Sequence, residues 1–157
     1  IYHYYKGKDD LFRSTMEDWL AQQQQGIFVL PVNPVLIPEY RFKVNQEHLM
    51  DFLRFTVWEA IDAQPEYSGV GEYRRKILQS YNEDMKAKQD MGLVPKDLDP
   101  ELITLAISSL TIYPLIMEHV TRLITGHAPS EPEFQEKWTT FLRLIFERIF
   151  KADTGKE

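Results

Sequence analysis

Apolar residues recur at helical spacing along most of this chain, and the recurrence stops where glycine or proline appears. Leu11, Phe12, Met16, Trp19 and Leu20 form a stripe that predicts a helix from about Lys8 to about Gln25, with Gly26 as its stop. Asp9 and Asp10 put negative charge at the positive end of that helix dipole. Gln22 to Gln25 read as its solvated last turn. From Ile27 to Val44 the pattern fails: Pro31, Pro34 and Pro38 remove backbone donors and crowd the preceding turns, which disfavours a long helix. An extended apolar loop over a cavity, a loop packed on the core, and a short helix between prolines all satisfy the stretch. From Gln46 helical spacing returns, with Leu49, Met50, Phe52, Leu53, Phe55, Thr56, Val57 and Ala60 around Trp58-Glu59. That helix is apolar over most of its circumference and is expected to be buried on more than one side.

Ala63 to Gly71 reads as a loop, marked by Pro65, Ser68, Gly69 and Gly71. A helix follows from about Glu72 to Met91, with Arg74, Arg75 and Lys76 on a wet face, Ile77, Leu78, Tyr81 and Met85 on a dry one, and Gly92 as its cap. Asp99 stands as N-cap of the next helix and Pro100 at its first position. The last two helices span about Pro100 to Thr125, bent at Pro114, and about Glu131 to Lys151. Both carry more apolar surface than one docking stripe needs, which points to association with another copy.

Two stretches carry a family resemblance. The opening Ile1-Tyr2-His3-Tyr4-Tyr5, then Lys6-Gly7, then Lys8-Asp9-Asp10-Leu11 resembles the recognition-helix end of TetR-type bacterial transcription regulators, which reads Leu-Tyr-x-His-Phe, two residues, Lys-Glu-Glu-Leu. The glycine stop at Gly92, the short apolar linker and Asp97-Leu98-Asp99-Pro100-Glu101 opening an apolar helix are similar to the same family, as is the Trp58-Glu59 pair. The resemblance implies an all-α chain: residues 1–7 end a DNA-binding helix-turn-helix whose remainder lies upstream, 8–151 form a helical ligand-binding and dimerisation domain, and 152–157 are a tail. It places Tyr2, Tyr4 and Lys8 on DNA phosphates, with Tyr4 where the family usually has a histidine; a phenol also donates to phosphate. It also implies a homodimer in which the last two helices form an intersubunit four-helix bundle. Leu105, Ser109, Ile116 and Val120 are the candidates from the first of them, and Phe134, Trp138, Phe141, Leu142, Ile145 and Ile149 from the second.

Buried aromatic and methionine residues on several helices also favour an apolar cavity for a small hydrophobic or aromatic effector. The candidates are Phe55, Trp58, Glu59, Tyr81, Met85, Tyr113 and Met117. His119 is less favoured, because it is expected to face solvent.

Composition narrows the remaining classes. The 157 residues, 43% hydrophobic and 27% charged, suffice for one domain with a core. A net charge of −6 opposes nucleic-acid binding through bulk electrostatics, so operator contact is expected of the N-terminal part. The absence of cysteine leaves no disulfide framework and suits a cytoplasmic protein. The uncharged run Leu102 to Met117 is 16 residues with serines, threonines and a proline inside it, short of a comfortable membrane span. His3, His48, His119 and His127 show no metal-ligand spacing, and no nucleophile or phosphate-loop motif is present. No cofactor, metal or catalytic residue is expected. The chain reads as a ligand-responsive DNA-binding regulator, a repressor released from its operator by its effector; the alternative is a helical small-molecule-binding or protein-interaction module without DNA activity.

Overall fold

Pro34 and Pro38 start a helix rather than prevent one. In the computed structural model, which describes Ser14, Glu17, residues 26–62 and residues 70–151, Asn33 accepts a hydrogen bond from the Val35 amide at 3.1 Å and caps a 3-10 turn, Pro34–Leu36. That turn runs directly into α1, Ile37–His48, with Pro38 in the first turn, where an amide proton would have no helical partner. The expected helix over 8–25 apart from Ser14 and Glu17, the phosphate-contact residues Tyr2, Tyr4 and Lys8, and the 152–157 tail lie outside the described residues, as does most of the Ala63 to Gly71 loop.

The helix expected from Gln46 is therefore two helices. α1 begins nine residues earlier, the chain breaks at Leu49, and α2 spans Met50–Asp62. Charge obscured α1 in the sequence, because a carboxylate, Glu39, stands on its buried side. Glu39 is buried and receives a two-point contact from Arg143, with Nη2 at 2.8 Å from each carboxylate oxygen, which raises the Arg143 pKa through hydrogen bonding and charge. Phe42 and Asn45 lie on the buried side of the same helix.

α3, Val70–Asp90, closes as a Schellman motif: Gly92, at φ 77°, donates to the Gln89 carbonyl at 3.0 Å and Leu93 donates to Lys88 at 2.9 Å. The linker to the next helix is pinned from inside. Gln89, itself buried, donates from Nε2 to the carbonyls of Pro95 at 3.0 Å and Leu98 at 2.5 Å. Gln89→Ala orphans both acceptors and is expected to lower unfolding free energy by about 1 to 3 kcal/mol in urea titration. A loss below a few tenths would mean the linker holds itself.

Asp99 caps α4, Pro100–Ile116, through the Glu101 amide at 2.9 Å, as its sequence position predicts. Pro114 lacks the proton that would bond the Leu110 carbonyl, and the Trp138 indole supplies one instead at 3.1 Å. Beyond it the chain turns at Met117, and α5, Glu118–Thr125, leaves α4 at 90°. The expected bent helix is thus two helices. Thr121 Oγ1 donates to the Pro114 carbonyl at 3.2 Å and closes the corner. α6, Pro132–Phe150, is the last helix.

Among the described residues all regular structure is helical, and no single helix is long and apolar enough to cross a membrane. Three clusters form the core. Ile37, Met85, Ile107 and Phe146 belong to one, Phe42, Leu53, Leu115, Phe134 and Leu142 to a second, and Leu49, Ile77 and Tyr81 to a third, against which Val44 packs. α1 contributes to all three. Trp138 meets Leu110, while Phe146 and Phe150 share a cluster with Ile103 and Ile107, so α6 runs antiparallel to α4.

Candidate functional site

The break between α1 and α2 leaves room beside α3 and α4. There, four helices and the segment before α1 surround a cavity of about 360 Å³, within the range of small-molecule sites. Its walls are mostly apolar. Phe52 and Leu53 come from α2, Ile77, Leu78 and Tyr81 from α3, and Leu105 and Ile112 from α4. Ile27 and Phe28 complete the lining, and a 2.8 Å hydrogen bond from the Tyr40 hydroxyl to the Ile27 carbonyl fixes them there. The stretch from Ile27 to Val44 therefore divides: its first part is non-helical and contributes to the cavity wall, and its second part is helix.

Polar groups enter at helical intervals. Arg41, Val44 and Asn45 come from one face of α1; Arg74, Ile77, Leu78, Tyr81 and Asn82 from one face of α3; Thr104, Leu105, Ser108 and Ile112 from one face of α4. Arg41 donates from Nη1 to Ser108 Oγ at 3.1 Å, and its guanidinium carbon lies 4.6 Å from the centre of the Tyr81 ring. Burial lowers the Arg41 pKa, with Tyr81 opposing; burial raises that of Tyr81, with Arg41 opposing. Arg74 grips Glu59 through Nη1 at 2.6 Å and Nη2 at 3.3 Å. Three buried side-chain atoms among the described residues have no hydrogen-bond partner, namely Arg74 Nε, Asn82 Oδ1 and Thr104 Oγ1, and all three residues line this cavity.

Of the seven candidate ligand contacts, Tyr81 lines the cavity and six do not. Glu59 stands behind Arg74, which does. Phe55 is buried edge-on against Trp58 at 6.4 Å, and Met85 lies in the core with Ile37 and Ile107. Tyr113 and Met117 are exposed at the far end of α4, and His119 faces outward as expected. The sequence pattern puts Arg74 on a wet face; in the structure it faces inward because it sits three residues before Ile77 and seven before Tyr81. That periodicity was the available signal for Arg74, Asn82 and Thr104.

α4 carries a second feature on its outer side. Leu102 and Leu105 are each 62% exposed and, with Ala106, Ser109 and Tyr113, follow one helical face; Phe141, Leu144 and Ile149 are exposed on α6. Among the candidate interface residues, Leu105, Ser109, Phe141 and Ile149 are exposed, and Ile116, Val120, Trp138 and Ile145 are half-buried. Phe134 and Leu142 are instead core residues, packed with Phe42, Leu53 and Leu115, because they occupy the side of α6 that meets α1.

The family described as tetracyclin repressor-like, C-terminal domain, matches residues 39–145. The chain belongs to that family. It is thereby a TetR-type chain, from a family of transcriptional regulators. The match begins in α1 and ends in α6, so it spans all four cavity helices of this TetR-type domain. No curated protein and no solved structure matched the chain.

Proposed function

We propose that this chain is the effector-sensing and dimerising part of a DNA-binding transcriptional regulator, a repressor that leaves its operator when a small, largely apolar effector fills the cavity. The observation that carries the reading is the position of α4 between two surfaces. Ser108 and Ile112 face the cavity, Leu102 and Ser109 face outward, and Leu105 belongs to both. A ligand pressing on α4 therefore presses on the surface through which a second copy docks. Ile27 and Phe28, which follow directly on the 8–25 segment, line the same cavity, so the ligand also reaches the path to the DNA-binding part.

Two recognition helices of a dimer must lie about one DNA turn apart, roughly 34 to 36 Å. An effector that fits the cavity better in another arrangement shifts that spacing by its difference in affinity, typically about 1 to 3 kcal/mol. No step of this cycle needs catalysis by the chain. The test uses full-length protein and an operator selected from random DNA. Small molecules extracted from the purified protein and added back at saturation are expected to weaken operator binding about 5- to 150-fold. Unchanged affinity would remove effector control.

A further inference from the structure

Two arginines, Arg41 and Arg74, line the cavity together with one carboxylate, Glu101, which is exposed and makes no ion pair with Arg41. Arg74 is matched by Glu59, but no carboxylate among the described residues lies within ion-pair distance of Arg41. Its guanidinium has one hydroxyl and one aromatic face, and most of its five donors are left for something else. A cation held among apolar side chains is costly unless a counter-charge joins it. Buried polar atoms without partners are also rare, yet all three among the described residues converge here. Packing inside a monomer gives no reason for that coincidence; a polar guest supplies one.

We propose that the occupant of this cavity is an amphipathic monocarboxylate, its carboxylate on Arg41 and its hydrocarbon part among Phe28, Phe52 and Ile77. The inference rests on the cavity being the effector site and adds the chemical class of the effector. A carboxylate fits the planar fork of a guanidinium through two parallel hydrogen bonds. A single negative charge suffices, because Glu59 already neutralises Arg74. The Thr104 hydroxyl and Arg74 Nε add donors, and the Asn82 amide presents an acceptor or, after a half-turn, a donor. The apolar walls set the rest of the molecule: at the packing density of a protein interior, a guest would occupy about three-quarters of the space.

The experiment titrates octanoate, octanamide and octylammonium into the purified full-length protein by calorimetry at neutral pH, in the wild type, Arg41→Gln and Arg41→Lys. In the wild type, octanoate is expected to bind at least about tenfold more tightly than octanamide, with octylammonium weakest. Arg41→Gln is expected to bring octanoate and octanamide within about twofold of each other, by weakening octanoate far more than octanamide, and Arg41→Lys to retain part of the preference. The wild-type ratio needs no substitution, so a variant that fails to fold does not blunt the test. Equal binding of octanoate and octanamide in the wild type overturns the carboxylate assignment and leaves an apolar effector cavity standing. A preference for octanoate that survives in folded Arg41→Gln overturns Arg41 as its receptor. If none of the three binds up to about 10 mM, the effector-site reading falls together with the carboxylate.

Discussion

Leu102→Glu combined with Leu144→Glu is expected to turn the proposed dimer into monomers. Both leucines are largely exposed, and neither belongs to a core cluster, so the fold should tolerate the change. α4 and α6 are antiparallel neighbours whose outward apolar residues form the surface assigned to a second copy. In a two-fold interface every substitution occurs twice, so four carboxylates would lose water in one patch. Like charges brought together at an interface cost several kcal/mol, and the dissociation constant should rise by about a thousandfold or more. Sedimentation equilibrium reads the stoichiometry, with circular dichroism as the check on helicity. A variant that sediments as the wild type would move the interface elsewhere.

Phe42→Ala is expected to be the most damaging single truncation, lowering stability by about 3 to 5 kcal/mol. Phe42 is 0% exposed, and its ring lies 6.3 Å from that of Phe134. Leu53, Leu115 and Leu142 close the same cluster, so the removed ring leaves a void bounded by α1, α2, α4 and α6. Collapse into it would disturb four helices at once, and the hole should therefore persist. Urea unfolding measures the loss; a value near 1 kcal/mol would mean that the helices can close the gap.

The TetR-type assignment was legible at the hinge between α3 and α4, where a glycine stop, an apolar linker and an aspartate cap each impose one conformation. The positions of the helices were legible where a single stripe repeats, as in α3 and α6. Two boundaries were not. Prolines at 34 and 38 argue against a helix interior but equally suit its first turn, and local spacing does not decide between those uses. Pro114 signals a bend without its size, which depends on what takes the freed carbonyl. The cavity was the least legible feature. Of its candidates Tyr81 lines it, whereas Phe55 and Met85 are packed on all sides, and a wall needs a neighbour missing on one side. Charged residues on an inward helical face, such as Arg41 and Arg74, marked the cavity better than hydrophobicity did.

The bond from the Trp138 indole to the Leu110 carbonyl links two positions that must change together. Alanine at 114 would return that carbonyl to its own helix and strand the indole proton, while phenylalanine at 138 would leave the carbonyl dry and unsatisfied. Either change alone is a loss; the pair made at once straightens α4 and releases α6 from it. Homologous sequences should therefore keep both residues or neither, and that covariation could be counted without purifying any protein.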